Sequence, residues 1–537
     1  MKRSTPLVPA LLLVIATVLV ALVVVRVAFA LDSPPPPSQC PDGQYLATYR
    51  NETAAQAFTT QPVLTRCESA PLDYGWGTSS PAPGVNADDF TAVWKGKFNF
   101  EAGDYRFSAR SDDGIRVYVD GARVIDAFFD QSATDRQSTR TLTAGTHEVK
   151  VKYYENGGHA VAKLTWGKVA PPPPTSEACT TFSSPITITS GGTYSGCFRS
   201  TNFNTPALTI ATSQPVVIQD SQIKATGYKI SDSVQNVNIT VRRTTLTGEN
   251  PNISGQPTEY AMWLDEPQNV IVENNRFVST PGIHIHHMTA PKSGTVKVRY
   301  NTVEDIDARL SNGSGGYQTG HALRQFFQAD KMVGIAGVEV GWNQIINTKA
   351  ESAVEDNINL YLSRGTSTSP IQVHDNYIDG AFPNVTTSQT SVSTYSGSGI
   401  MCADGTGTTA ANSSAYITCS DNQVLDSLNA GVATPIGHHI TLDGNRVVGD
   451  HDGITLQSWA PVGMYCQNMS NQSATLWNNN VIQNNSVALW GNTGRNDYWL
   501  DGDCAASNNT SLSSMGEAAE WLLWQGKLAS ANVTLGP

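Results

Sequence analysis

A six-residue pattern recurs along the C-terminal two-thirds of the chain and constrains its fold more than any other feature. Each copy has an apolar residue, two variable residues, a small polar residue, one variable residue and a second apolar residue. The shortest spacing between successive copies is 23 residues, which suits one coil of a solenoid whose longer coils carry loop insertions. The polar positions of the nine copies are Ser221, Thr244, Asn275, Asn301, Asn343, Asn376, Asn422, Asn445 and Asn479.

Asparagine suits this position because it tolerates the left-handed backbone dihedrals of a sharp bend between two strands. In a stack of coils its side-chain amide can also bond to the equivalent amide one coil away, so that buried polar groups are paired. A second short strand follows many copies, often after a glycine. We expect these strands to stack as one sheet, and they lie at residues 282–285, 399–402, 431–434, 453–456 and 487–489.

These features resemble the right-handed parallel β-helix of the pectate lyase superfamily over roughly residues 180–512. The tail near residues 516–528 contains Glu520, Trp521 and Trp524 and predicts a short amphipathic helix. Because the ends of a solenoid need covering, we expect this helix to close the open end of the coil stack.

Two runs of four prolines, at residues 34–37 and 171–174, predict extended spacers and divide the chain. Residues 31–39 and 169–176 are therefore predicted linkers. Between them lies a module at residues 40–168, and residues 177–537 form the predicted β-helix with its C-terminal cap.

The N-terminal 30 residues have the pattern of an export signal. A basic start at Lys2 and Arg3 precedes an apolar stretch at residues 7–25, and Ala28 and Ala30 form an Ala-x-Ala ending. The apolar stretch is also long enough to span a bilayer, so cleavage and retention as a signal anchor both remain open. Either way the rest of the chain is predicted to be extracellular or at the cell surface, with membrane contact only through an uncleaved segment.

The eight cysteines support an oxidising compartment, since their number is even and no Cys-x-x-Cys pair occurs. Sequence proximity favours the pairs Cys40–Cys67, Cys179–Cys197, Cys402–Cys419 and Cys466–Cys504, although the sequence allows other pairings. The net charge of −12 and the absence of a basic run exclude a nucleic-acid partner.

The module at residues 40–168 shows short alternating segments joined by turns such as Asp113-Gly114 and Asp120-Gly121, which predict an antiparallel β-sandwich. The whole chain is thus predicted to be all-β. Two stretches, VWKGKFNFEAGDYRFSARSDDGIRVYVDGARVID and LTAGTHEVKVKYYENGGHAVAKLTW, resemble the protective-antigen-type (PA14) domain. In lectins of that family, consecutive aspartates joined by a cis peptide hold a Ca²⁺ that coordinates sugar hydroxyls, and Asp112 and Asp113 stand at that position. An Asp-Asp-Gly sequence is also ordinary hairpin chemistry.

Candidate chemistry lies on the predicted sheet of the β-helix. Alternation along its second strand points Ile283 and Ile285 inward and His284 and His286 outward. Neighbouring coils are expected to add three groups that suit a sugar substrate. A carboxylate can transfer protons, a guanidinium can bind a uronate, and an indole can stack on a sugar ring. The predicted catalytic residues are Asp265, His284, His286, Arg324 and Glu355, and the predicted substrate-binding residues are Trp263 and Asn357.

Two functions follow from this organisation. The first is a carbohydrate-active protein, expected to be monomeric, that binds an extracellular polysaccharide and cleaves it as a lyase or as a glycoside hydrolase. The second is a non-catalytic adhesin or surface structural protein, in which both domains only bind glycans.

Overall fold

A computed structural model describes residues 39–56, 58–168, 179–383, 395–449, 460–491, 494–512 and 517–537. The chain divides into two compact units, with the boundary between Lys168 and Val169. The predicted export signal, the two proline runs and the predicted strand at residues 453–456 lie outside the described residues. Within the described ranges, no helix is long and apolar enough to cross a membrane.

The first unit is an antiparallel β-sandwich, as the sequence predicted. Both sheets bury alternate residues against each other, with Trp94, Phe107 and Tyr153 fully buried between them. A short 3-10 helix at Ala54–Gln56 follows the first strand. The six-stranded sheet has the order Leu64–Ser69, Gln44–Asn51, Phe90–Phe100, Gly145–Glu155, Gly114–Val119 and Ala122–Ala127. The four-stranded sheet has the order Leu72–Gly77, Ala160–Lys168, Gly103–Asp112 and Thr134–Leu142.

The second unit is a parallel β-helix, which confirms the predicted fold class. One face is an 11-stranded parallel sheet, called here the front sheet. Its strands, in order, are Ile186–Ile188, Leu208–Ile210, Ile230–Asp232, Met262–Asp265, Ile283–His286, Phe327–Asp330, Asp356–Tyr361, Ser398–Asp404, Ala430–Thr434, Val462–Cys466 and Tyr498–Leu500.

The remaining faces of the coils form a 21-stranded sheet that bends at the asparagine positions. A separate antiparallel hairpin, Arg309–Ser311 with Tyr317–His321, belongs to one of the long insertions. The strands of the large sheet are Gly192–Tyr194, Cys197–Ser200, Pro215–Ala225, Asn238–Gly248, Asn269–Glu273, Arg276–Val278, Val296–Arg299, Thr302–Glu304, Glu339–Gly341, Gln344–Ile346, Ile371–His374, Tyr377–Ala381, Ala415–Ser420, Gln423–Ser427, His438–Asp443, Arg446–Gly449, Asn480–Gln483, Ser486–Gly491, Gly494–Arg495, Cys504–Ser507 and Thr510–Ser511.

The predicted asparagine column is present as a continuous ladder of buried side chains. Each amide nitrogen donates to the amide oxygen of the next coil, for example from Asn343 to Asn376 at 2.9 Å and from Asn376 to Asn422 at 2.9 Å. The same nitrogen also reaches a backbone carbonyl, as from Asn376 to Val340 at 3.0 Å. The ladder ends at its N-terminal coil, where the backbone N–H of Thr244 donates to the side-chain oxygen of Asn275 at 3.1 Å. The column therefore fixes the register of successive coils.

The sequence pattern placed the last predicted copy in the wrong register. The amide of Asn445 donates to Asn485 at 3.1 Å, and Asn485 donates to Asn509 at 2.9 Å, whereas Asn479 is exposed outside the column. Two consecutive segments, residues 476–481 and 482–487, fit the pattern, and the second is the true copy because its apolar residues Ile482 and Val487 are both buried. The predicted strand at residues 487–489 consequently belongs to the large sheet and not to the front sheet.

The C-terminal helix, Glu517–Ala531, forms as predicted but does not lie at the open end of the coil stack. It packs on the side of the large sheet, where the Trp524 indole donates to Gln344 at 3.0 Å and Glu520 accepts from the Arg446 guanidinium at 2.9 Å. The aromatic ring of Trp521 packs edge-on against Tyr377. The expectation that this helix covers the open end of the coils was wrong, because its apolar side chains pack across several coils.

All eight cysteines are paired, and no free cysteine is left. The four bonds are those favoured by sequence proximity, and each closes a loop of between 17 and 38 residues. Disulfides persist in oxidising environments, so the pairing indicates an extracellular or surface protein.

We predict that Asn485→Ala lowers the free energy of unfolding by at least about 2 kcal/mol, because it leaves the buried backbone groups of Asn445 and Leu442 unpaired. Asn479→Gly is the matched control, since Asn479 is exposed with a φ of 53° that glycine adopts freely. Chemical denaturation, followed by tryptophan fluorescence, measures the free energy of unfolding of each variant. Equal losses in the two variants would contradict the corrected register.

Candidate functional site

The outward side chains of the front sheet form the candidate site. Ile283 and Ile285 are fully buried and His284 and His286 point outward, as the alternation predicted. In the preceding coil, Trp263 lies in register with His284 and Asp265 lies in register with His286. The predicted direction and register of these four side chains are therefore confirmed, and their catalytic and substrate-binding roles stay predictions.

The other half has a different register from the one predicted. The residues paired with His284 and His286 in the following coil are Gln328 and Asp330, and the next coil places Asn359 and Tyr361 beside those two. Arg324 comes before its strand begins, because the strand starts at the buried residue Phe327. The alternation of inward and outward residues could not identify where this strand starts, because the consecutive residues Phe326 and Phe327 are both fully buried.

Asn357 does not reach the outer surface at all. It is fully buried, accepts a hydrogen bond from the Asn347 amide at 2.8 Å and donates to the backbone of Ser398 at 3.2 Å. Its predicted contact with substrate is therefore corrected to a structural role between coils.

Arg324 is engaged within the protein. Its guanidinium lies 3.0 Å from the carboxylate of Glu259 and stacks over the Tyr260 ring, 5.1 Å from the ring centroid. The guanidinium that the sequence led us to expect as a uronate ligand is thus already paired with a carboxylate, and its role in substrate binding stays a prediction.

An aromatic wall flanks one side of the site. The Trp263 and His284 rings stack with centroids 4.1 Å apart, and Tyr260 meets His284 edge-on at 5.2 Å. Burial, with smaller contributions from His286 and Arg324, lowers the pKa of His284 to about 3. The imidazole is therefore neutral, and neither ring nitrogen has a hydrogen-bond partner among the described residues.

A cluster of histidines and aspartates lies beside this wall. His286 Nδ1 is 2.8 Å from Asp265 Oδ1, and His286 Nε2 is 3.4 Å from Asp330 Oδ2. His287 Nδ1 lies 3.8 Å from the same Asp265 oxygen. Asp265, His286 and His287 together offer three ligand atoms close enough to hold one metal ion.

A second cluster, which we call the carboxyl cluster, consists of Glu355, Asp356 and Asp404. Burial raises the pKa of Glu355 to about 7, and the charge of Asp404 adds to the rise. Burial also holds the pKa of Asp356 well above its usual range, with both neighbours contributing. One amide nitrogen of Asn359 donates to Asp356 Oδ2 at 2.7 Å and to Asp404 Oδ2 at 2.9 Å.

The sequence analysis found Glu355 but missed Asp356 and Asp404. Both lie at ends of front-sheet strands, Asp356 opening one and Asp404 closing the next. A search for acidic residues near the ends of successive predicted strands could have found Asp404, because it lies two residues after the predicted strand at residues 399–402.

In the β-sandwich, Asp112 and Asp113 close one end of a strand, and the cis peptide predicted between them is absent. The cis bonds among the described residues precede Pro71, Pro291 and Pro461. Asp113 takes up a φ of 59°, and its carboxylate accepts from the backbone of Gln131 at 3.2 Å and of Asn156 at 2.7 Å.

A third carboxyl group stands beside this pair. Glu155 is fully buried, and burial together with the charges of Asp113 and Asp112 raises its pKa to about 8. It accepts from the Tyr153 hydroxyl at 2.6 Å through Oε2, while Oε1 has no hydrogen-bond partner among the described residues. Three carboxyl groups held together with an unpaired buried oxygen fit a hard divalent cation such as Ca²⁺.

Comparison with known proteins concerns the β-sandwich. Residues 46–175 match the family model of the PA14 domain. Anti-sigma-I factor RsgI3 of Acetivibrio thermocellus is 35% identical over 97 residues, which are 18% of this chain and 15% of that protein.

Two solved structures are each similar to about a quarter of the chain. An anti-sigma factor domain-containing protein is 29% identical, covers 24% of this chain and 43% of its own, and has a TM-score of 0.22. The PA14 sugar-binding domain from an RTX adhesin is 20% identical, covers 24% of this chain and 91% of its own, and has a TM-score of 0.21. The resemblance of the second unit to the pectate lyase superfamily stays a prediction. By the family-model match, which covers its described residues from 46 to 168, the β-sandwich is a PA14 domain.

Proposed function

We propose that this extracellular protein binds a polysaccharide and hydrolyses it on the front sheet, with Glu355 as the general acid and Asp404 as the second carboxylate. The observation that supports this most strongly is the pKa of about 7 for Glu355 beside Asp404. Glycoside hydrolysis needs one carboxyl group that keeps its proton near neutral pH and a second that acts as a carboxylate.

In this mechanism, Glu355 donates its proton to the glycosidic oxygen as the bond from that oxygen to the anomeric carbon breaks. Asp404 takes a proton from a water molecule, whose oxygen forms a bond to the anomeric carbon from the other face of the sugar ring. Asn359 holds Asp404 through its amide at 2.9 Å. Asp356, whose raised pKa favours its neutral form, orients the same amide from 2.7 Å.

Hydrolysis is favoured over the lyase reaction because Glu355 keeps its proton up to about pH 7, as a general acid must, whereas the base of a lyase has to be deprotonated. The stacked Trp263 and His284 rings offer an apolar surface for a sugar face.

The PA14 domain supports a second, glycan-binding role for the β-sandwich, with Ca²⁺ at Asp112 and Asp113. The observation that favours it is Glu155, whose pKa is raised to about 8 by burial and by repulsion from Asp113 and Asp112, and a cation would relieve that repulsion. When bound, Ca²⁺ supplies coordination positions for sugar hydroxyls. Asp112, Asp113 and Glu155 are the residues that would hold it.

We predict that Glu355→Gln lowers kcat about 10²- to 10⁴-fold, the usual contribution of a general acid, with little change in polysaccharide binding. Glu351→Gln is the control, because Glu351 is exposed four residues away. Release of new reducing ends from a panel of neutral, acidic and amino-sugar polysaccharides measures activity. An unsaturated product would indicate a lyase, and binding without any cleavage would favour the adhesin.

The pH dependence of kcat/KM gives a separate test. Since the folded pKa of Glu355 is raised to about 7, its proton is present below pH 7 and is lost above it. We expect kcat/KM to fall about tenfold per pH unit above pH 7, measured by initial rates from pH 5 to 9. A kcat/KM that stays level from pH 7 to pH 9 would argue against Glu355 as the general acid.

For the β-sandwich, we predict that Asp112→Asn abolishes Ca²⁺-dependent retention on a glycan array. Asp104→Asn is the control, because this exposed aspartate lies at the other end of the same strand. Retention is measured with Ca²⁺ and with chelator. Unchanged retention in chelator would refute a role for the metal.

A further inference from the structure

We propose that Asp265, His286 and His287 bind a divalent transition-metal ion of the Zn²⁺ type on the front sheet. Two imidazole nitrogens and one carboxylate oxygen form a ligand set suited to such ions and poorly suited to Ca²⁺ or Mg²⁺, which prefer oxygen. This site is separate from the carboxyl cluster, and the proposal does not depend on the proposed hydrolysis.

The distances between the ligand atoms fit one ion. Zn²⁺ binds nitrogen and oxygen at about 2.0–2.2 Å, so two of its ligand atoms in a tetrahedral site lie about 3.4 Å apart. From Asp265 Oδ1 the distance is 2.8 Å to His286 Nδ1 and 3.8 Å to His287 Nδ1. These values bracket the required separation, so small side-chain rotations complete the site.

The coil itself brings two consecutive histidines to the same side. Neighbouring residues of a strand normally point in opposite directions. His287 follows the last residue of its strand and has a φ of 54°, which turns its ring back beside that of His286, with the centroids 3.5 Å apart. The equivalent corners at Glu266, Lys331 and Leu362 have φ values of 50°, 58° and 46°, so the repeating corner of the front sheet supplies this geometry.

The other nitrogen of His286 has the partner that a metal ligand requires. Metal-bound histidines usually donate their second N–H to a carboxylate, which fixes the tautomer and the ring orientation. His286 Nε2 lies 3.4 Å from Asp330 Oδ2, which belongs to the next coil. With Nδ1 on the metal and Nε2–H directed at Asp330, both nitrogens have a defined role. Asp330 is a positioning residue and not a ligand.

His287 differs, because its Nε2 faces a cation and not a carboxylate. Its Nε2 lies 3.3 Å from the ammonium group of Lys331, which is 43% exposed and also lies 3.5 Å from Asp330 Oδ1. When the metal takes Nδ1 of His287, the proton moves to Nε2, so the Lys331 ammonium turns away from Nε2 and keeps Asp330 as its partner.

The site is open on its outer side. The side chains of Asp265 and His287 are 49% and 41% exposed, and that of His286 is 26% exposed. Three protein ligands with an exposed outer side leave at least one coordination position for water or for a ligand oxygen, which is the pattern of functional metal sites and not of structural ones. The ion would accordingly bind hydroxyl or carboxylate oxygens of a ligand lying beside Trp263.

Calorimetric titration of the chelator-treated full-length protein with ZnCl₂, in excess Ca²⁺ to occupy oxygen-only sites, tests the proposal. We expect one Zn²⁺ per chain and d–d absorption of a bound ion when Co²⁺ replaces Zn²⁺. Asp330→Asn should keep the stoichiometry and weaken affinity about 10- to 100-fold, and His286→Gln should weaken it further.

His147→Gln is the matched control, since His147 Nδ1 lies 2.6 Å from Asp120 in a similar pair that lacks a second histidine. It should leave Zn²⁺ affinity unchanged. The proposal is overturned if the protein takes up no Zn²⁺, or if the double variant His286→Gln, His287→Gln binds it as tightly as the unmodified chain. Circular dichroism of each variant establishes that it is folded.

Discussion

The asparagine ladder is the interaction on which the second unit depends. Each amide joins its own coil to the next through a side-chain bond and to a backbone carbonyl through a second one, as Asn376 does with Asn422 and Val340. Buried polar groups must be paired, and a shift of one residue would unpair every member of the column. The ladder therefore sets the register of the coils, and the register decides which side chains share the front sheet.

Stacking in register creates a surface on which unlike charges and like charges are held close together. His286 lies between Asp265 and Asp330, contributed by the coils on either side. The carboxyl cluster of Glu355, Asp356 and Asp404 lies at later coils of the same sheet. Burial of Glu355 and the neighbouring charge of Asp404 raise the pKa of Glu355 to about 7. One architecture thus supplies both a nitrogen-rich cluster and a cluster of carboxyl groups, and each suits different chemistry.

Much of the fold could be predicted from the sequence because its signals are local and repeated. The ladder, the disulfide pairs and the outward direction of His284 and His286 all follow from spacing or alternation. The errors arose where two solutions satisfy the same local rule. Asn479 and Asn485 both fit the pattern, and only burial of Ile482 and Val487 selects the second. The start of the strand at Phe327, and hence the position of Asp330, depends on tertiary packing that alternation cannot give.

The most direct test of the account is the titration of the Glu355 carboxyl carbon by NMR, assigned with Glu355→Gln in protein labelled at glutamate. Glu355 should titrate near pH 7, and Asp404→Asn should lower this pKa because it removes a neighbouring negative charge. A pKa near 4.3, the ordinary value for glutamate, that is unchanged by Asp404→Asn would contradict the assignment of these two residues as the acid and its partner.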